Sequence, residues 1–340
     1  MKRLTSFLLA AVFLSGCMLT HSQELVDHVD TRFQNVESIN IEGVFCDVNV
    51  EAGGSKEVHL QGEIRTTRDG QEYSIKTSQS GGELKIWVEH PNSMRGRVKG
   101  FLILEAPRGV NLSVNNVSGN VKVDDIESDH MLLKSVSGDV TVSKAGGDSR
   151  FQSVSGNVQA SVINGALKAK SVSGDLRINN VKGDLSASST SGNVSARMVE
   201  GEAMISSTSG DVMVENLMNS ARLKSTSGNI KVDVLRGGLS AKSVSGDIVL
   251  NDVTGILSLS TTSGSQRGTK IVLTGDSNFK SVSGDINMDL ENAMEALSFF
   301  LKSGSGNLSA AGSSADERLE IEKGEIVVKG SSMSGNQTFR

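Results

Sequence analysis

The sequence predicts an all-β fold: a single-stranded parallel β-helix, or β-solenoid, of eighteen-residue coils with two nine-residue halves, behind an N-terminal β cap. Three observations predict it. A short phrase returns every eighteen residues, apolar residues alternate by two between its returns, and aromatic residues make up only 4% of the 340.

The phrase is Ser-Val/Thr-Ser-Gly-Asp/Asn followed by an aliphatic residue. Its glycine stands at 119, 138, 156, 174, 192, 210, 228, 246, 264, 284 and 306, and from 138 to 264 every step is eighteen. Midway between these major glycines lie Gly147, Gly165, Gly183, Gly201, Asn219, Gly237 and Gly255. Each coil therefore has two corners. The composition suggests that both adopt left-handed backbone, with Asn219 as the residue next best suited to positive φ.

Between corners the pattern is that of strands. Two and four residues beyond the major glycine come pairs such as Val140 and Val142, Leu176 and Ile178, and Ile248 and Leu250. Alternation by two places each pair on one face of a strand. A further apolar column, Ala145, Ile163, Val181, Val199, Leu217, Leu235, Val253 and Ile271, stands seven residues beyond it. After the minor corner come Leu167 and Ala169, Leu185 and Ala187, and Leu239 and Ala241, a large-and-small mix that suits a thin core. A helical reading fails, because the 3.6 period is absent and glycine recurs every nine residues. Coils stacked at about 4.8 Å make a rod of roughly 50 Å.

The residue after each major glycine alternates: Asn120, Asp139, Asn157, Asp175, Asn193, Asp211, Asn229, Asp247. Stacked coils would place a pure Asp column at about 5 Å spacing, where like charges repel. Interleaved Asn separates the charges, and its amides can bond along the ladder. The alternation also hints at duplication of a two-coil unit.

The N-terminus reads as an export signal. Lys2 and Arg3 precede an apolar run from Phe7 to Leu14, too short to span a membrane, and then Leu14-Ser15-Gly16-Cys17. This tetrapeptide resembles a bacterial lipobox, which implies acylation of Cys17 as the first mature residue; Met18 in place of Asp resembles the outer-membrane sorting pattern. The expected division is a signal peptide at 1–16, a lipidated N-terminus and linker at 17–32, the β cap at 33–110, solenoid repeats with a C-terminal cap at 111–328, and a frayed tail at 329–340. After cleavage Cys46 is the only thiol. It sits on the alternating face Val44, Cys46, Val48, Val50 and reads as a buried, inert core residue; an intermolecular disulfide is the alternative.

The order of the pieces resembles a known group. An opening from Phe33 to Val50 containing Cys46-Asp47-Val48, a Pro107 turn after Leu102, and repeats beginning at Ser118-Gly119-Asn120-Val121 are similar to the bacterial β-strand-repeat family of candidate adhesins. That family is a domain of unknown function related to autotransporter-adhesin-head-like domains. The resemblance covers about residues 33–328, implies the fold and a role in adhesion, and brings no catalytic residues.

Chemistry is sparse otherwise. His21, His28, His59, His90 and His130 do not fall at metal-ligand spacing. The repeated serines are corner residues, with no nucleophile elbow among them. A calcium β-roll needs Gly-Gly-x-Gly-x-Asp, whereas each corner here offers one carboxylate or one amide. A sugar-cleaving β-helix needs a cluster of acids breaking the repeat; the one local break, Gln266-Arg267-Gly268, reads as a coil insertion. Thr190, Thr208 and Thr226 form a column expected to pack partly inward. The net charge of −5 with no basic block or stripe argues against a nucleic-acid partner. The expectation is a non-enzymatic, cofactor-free envelope protein, held to a membrane by its N-terminal lipid. Its role would be that of an adhesin or interaction scaffold meeting an unknown protein or polysaccharide surface. A carbohydrate-binding or carbohydrate-active β-helix and a periplasmic envelope-stress or assembly accessory protein are the alternatives.

Overall fold

A computed structural model of the chain describes residues 23–68, 72–94 and 96–340. The described residues form two long sheets, of 17 and 16 strands, facing each other across a narrow core. In the repeats each coil gives one strand to each sheet. Val140–Ala145, after the major corner, lies in the first sheet, and Asp148–Ser153, after the minor corner, lies in the second. Every strand pairs in parallel with its equivalent one coil on, as in Val158↔Leu176↔Val194↔Val212↔Ile230↔Ile248. The β-solenoid is the fold predicted.

The core is the set of columns that the alternation marks. From Gly119 to Gly264 the residues two, four and seven beyond the major glycine are buried, as are Leu167, Ala169, Leu185, Ala187, Leu239 and Ala241. The jump from four to seven has a structural cause. The residue before the third column has positive φ in each coil: Asp125, Lys144, Val162, Asn180, Met198, Asn216, Val234, Asp252 and Lys270 all lie between 53° and 59°. One left-handed residue turns the chain, so two outward side chains follow one another before the next inward one.

The left-handed positions are therefore mostly not where the glycines are: of the corner glycines, Gly237, Gly284 and Gly306 alone have positive φ, between 140° and 152°. None of the major-corner glycines from Gly119 to Gly264 has positive φ, and neither does Asn219. These corners need glycine for a different reason. A Cβ on Gly156, Gly174, Gly192, Gly210 or Gly228 would come within 2.0–2.2 Å of the carbonyl oxygen of the glycine one coil earlier. The backbones pass too closely for any side chain.

Both ends depart from chain order. Ser38–Glu42 pairs with Asn111–Asn116 on one side and Glu83–Glu89 on the other, while Cys46–Ala52 lies between Val98–Ala106 and Val121–Ile126. The first coil is thus inserted beneath a later one. Antiparallel strands finish this end: Ser74–Ser80 in one sheet, Val58–Thr66 and then Glu24–Phe33 in the other. Residues 24–32, expected as linker, are part of that outermost strand, because Glu24–Phe33 pairs along nine positions with Val58–Thr66.

The same device closes the C-terminus. Ile326–Ser334 inserts between Ser277–Ser283 and Leu297–Ser305, and Gln337–Phe339 between Ile286–Leu290 and Leu308–Ala310. The tail expected to fray is instead an interior coil. Phe339 is buried and packs edge-on at 5.3 Å from Phe279 and tilted at 5.9 Å from Phe299. Burying this ring and completing two parallel ladders outweighs terminal fraying.

Gly192→Ala should lower stability by about 1–3 kcal/mol, since a methyl is forced against backbone. Gly238→Ala, whose Cβ would meet nothing nearer than 3.4 Å, should stay within about 0.5 kcal/mol. Urea denaturation followed by far-ultraviolet circular dichroism separates the two; equal losses would contradict the close-approach account.

Candidate functional site

The corner chemistry consists of two ladders. The buried one uses the first serine of each Ser-x-Ser-Gly. Ser135, Ser153, Ser171, Ser189, Ser207, Ser225 and Ser243 each accept a hydrogen bond at 2.9 Å from the N–H of the glycine three residues on. Each also donates to the glycine carbonyl of the preceding coil, at 2.9–3.4 Å. The repeated serines are thus engaged structurally. Thr190, Thr208 and Thr226, expected partly inward, are exposed; the serine before each of them is the inward residue.

The second ladder is the Asn/Asp column. The structure stacks all eight residues, but the bonds are not amide to amide. The Oδ1 of each accepts the backbone N–H of its counterpart one coil on, at 2.7–3.0 Å, from Asn120 to Asp139 and so through to Ser265. Carboxylate and amide oxygens serve equally, so the choice between them is free to be set by charge. Only one side-chain amide also bonds along the column, Asn157 Nδ2 to Asp139 Oδ1 at 3.3 Å. Some of the carboxylates gain a cation on the second oxygen: Arg177 reaches Asp175 Oδ2 at 2.9 Å and Arg267 reaches Asp247 Oδ2 at 3.6 Å.

Chain order hides how far this column runs. Asp47 Oδ1 accepts from Asn120 N at 2.8 Å. Beyond Ser265 come Asp285, whose Oδ1 accepts from Asn336 N, and Asn336, whose Oδ1 accepts from Asn307 N. In space, carboxylates and neutral residues alternate from Asp47 to Asn336, through the inserted coils.

Cys17 and His21 lie outside the described residues. Cys46 is fully buried, and burial, with a smaller contribution from the Asp47 charge, pushes its thiol up to about 12. His59 sits on the N-terminal cap at 2.7 Å from Asp30, and this bond holds the Asp30 carboxyl below its ordinary value. Among the described residues no three His, Cys, Asp or Glu side chains converge as metal ligands.

One surface stands out, and the linear sequence does not reveal it. The outward residues of the second sheet form two columns and, at the minor-corner edge, a third that begins with the paired His130 and Asp148. The first runs Leu132, Arg150, Lys168, Ser186, Met204, Arg222, Ser240, Ser258, Asn278. The second runs Lys134, Gln152, Lys170, Ser188, Ser206, Lys224, Lys242, Ser260, Lys280 in the same coils. Neither of these two contains a carboxylate. None of their lysines or arginines forms an ion pair among the described residues. On the first sheet, by contrast, Arg177, Arg197, Arg236 and Arg267 all do. An open groove of about 950 Å³ follows this face from His130 to Ser258. Its far wall, at the minor corner, carries Asp148, Asp184 and Glu202. The expectation that no basic stripe exists fails in part: Arg150 and Lys168, and Lys224 and Lys242, are eighteen residues apart in sequence and about 4.8 Å apart once coiled, with uncharged coils between the two pairs.

A repetitive stack of two parallel-dominated sheets, with one strand of each coil in each sheet, defines a β-solenoid. The chain belongs to the Toastrack DUF4097 family, a domain of unknown function whose model matches residues 36–237, 166–267 and 202–338. None of the curated proteins compared matches it. Similar solved structures include a candidate cell adhesion protein from Clostridium sporogenes, 10% identical over 92% of this chain and 98% of that one, with a TM-score of 0.18. A candidate lipid-binding protein from Parabacteroides distasonis is 13% identical over 92% and 97%, at 0.28. A candidate adhesin from Bacteroides fragilis is 13% identical over 94% and 98%, at 0.24. Superpositions with scores this low add nothing to the family assignment.

Asn193→Asp keeps an Oδ1 acceptor but places three carboxylates in consecutive coils with Asp175 and Asp211. At about 5 Å each new contact costs about 1 kcal/mol in water. Thermal melts should show a loss at low ionic strength that salt largely restores; a loss indifferent to salt would rule out charge alternation as the reason for Asn. At pH 8 Cys46 should remain a protonated, unreactive thiol in the folded chain. Titration with a thiol reagent should label it only after denaturant is added, and rapid labelling of the native protein would contradict its burial.

Proposed function

We propose that this chain is a non-enzymatic, lipid-anchored protein of the bacterial envelope that acts as an adhesin or interaction scaffold by presenting the outer face of its second sheet to a partner. The observation that carries this reading is that face: two outward columns that hold eight lysines and arginines and no carboxylate, in two groups separated by the uncharged Ser186, Ser188, Met204 and Ser206. A structural rod has no need to leave so many like charges unneutralised, since exposed like charges only repel. The lipobox-like Leu14-Ser15-Gly16-Cys17 supports anchoring, and several acyl chains at about 0.8 kcal/mol per buried CH₂ would hold the protein on a bilayer. The interior and both corners are occupied by packing and ladders, so recognition falls to the outward columns.

Protease shaving of intact cells, with Cys17→Ala as control, tests the placement. Digestion of the solenoid on intact cells is the expected result, with the Cys17→Ala chain lost from the membrane fraction. Complete protection until the outer membrane is opened would overturn surface adhesion and favour the inward-facing accessory role.

A further inference from the structure

We infer that the groove on the second sheet binds a linear anionic polysaccharide laid along the stacking axis. This rests on the reading above that the face is the one presented to a partner, and it names that partner's chemistry.

The argument begins with spacing. Strand pairing sets Arg150 beside Lys168, and Lys224 beside Lys242, at the coil step of about 4.8 Å, while Lys168 and Lys170 share one strand, as do Arg222 and Lys224. The result is a narrow track of roughly 40 Å by 7 Å across the strands, with one positive group from Lys134 to Lys170 and a second from Arg222 to Lys242, and two uncharged coils between them. A linear polymer with an acidic group on successive units can follow such a track, its charges meeting both positive groups and crossing the uncharged Ser186, Ser188, Met204 and Ser206 between them. The groove beside it supplies the rest of the recognition. Ser186, Ser220 and Ser240 face it, and Asp148, Asp184 and Glu202 form its far wall. Carboxylates accept hydrogen bonds from hydroxyl groups. A sugar chain carrying acids on one edge and hydroxyls on the other matches both walls at once.

The same wall discriminates against other polyanions. A phospholipid bilayer or a nucleic-acid duplex is wider than the track and would bring its phosphates against Asp148, Asp184 and Glu202, where like charges oppose. Neutral glycans commonly use stacking on aromatic rings, and no Phe, Tyr or Trp lines this groove. Binding here is therefore electrostatic and must weaken with salt.

The test uses the full chain in nonionic detergent, titrated calorimetrically with size-fractionated polygalacturonate and dextran sulfate, with neutral dextran as the reference. Saturable binding of at least one anionic polymer and none of dextran is expected, with affinity falling steeply as ionic strength rises. The paired reversal Lys168→Glu/Lys170→Glu should weaken binding by at least about tenfold, and Arg222→Glu/Lys224→Glu likewise. Lys122→Glu/Lys231→Glu, the same charge change on the first sheet, should stay within about twofold; unchanged circular dichroism melts confirm that all three variants fold. No binding of either polymer at low salt would overturn the inference, and so would equal losses on both sheets. Tighter binding to phosphatidylglycerol-containing than to phosphatidylcholine vesicles, or to duplex DNA, with the same variant pattern and no glycan binding, would assign the face to another partner. Because these measurements are made on purified protein, they are independent of where shaving places it.

Discussion

The fold depends on two backbones passing at the major corner with no room for a β-carbon between them. Glycine over glycine brings each corner to within hydrogen-bonding range of the last, so that one serine hydroxyl can hold the N–H of its own corner and the carbonyl of the corner before. Once that contact is made, the strands leave each corner in register. Val, Ile and Leu then fall over Val, Ile and Leu without further specification. A bulkier corner would tilt successive coils apart, opening both sheets and the core together. The Asn/Asp column on the solvent side of the same corner repeats the clamp with a second acceptor.

The alternation of that column is best understood in space. A duplicated two-coil unit would explain alternation along the sequence, but not its continuation to Asp47 on one side and to Asp285 and Asn336 on the other, which join the stack out of chain order. What the positions share is the requirement that no two adjacent coils both carry a charge there. Since amide and carboxylate oxygens accept the same backbone N–H, exchanging one for the other costs nothing in hydrogen bonding, and repulsion alone sorts them.

Period and inward columns were legible from the sequence because each is a local pattern repeated many times. The glycines were legible as corners but not in mechanism: close approach and left-handed backbone both call for glycine, and composition does not distinguish them. The true left-handed positions, from Asp125 to Lys270, include Lys, Val and Met, so no residue type betrays them; only the step from four to seven in the apolar columns carries their trace. The ends were misread because an inserted coil looks, in chain order, like an irregular strand or a tail. Gln337–Phe339 has too few residues to announce a coil, and its place depends on Leu308–Ala310 and Ile286–Leu290, both distant in the chain.

The charged face was illegible for a related reason. Coiling multiplies charge density across the strands while leaving it dilute along the chain, so Lys170, Lys224 and Lys242 are unremarkable until stacked. The two sheets then treat their cations differently. On the first, four arginines lean onto carboxylates of the ladder or of the next coil. On the second, the inner side chains obey the repeat as strictly as anywhere, yet the outer columns hold cations with no internal partner. Exposed ion pairs contribute little to stability, so packing did not demand neutrality on one sheet or forbid it on the other. Repulsion within the basic columns is a small, distributed cost that the corners and core readily carry. The fold neither requires nor gains from this feature, which is why the proposed partner is sought there, and among the described residues the positions free to vary toward such a partner are those that face outward.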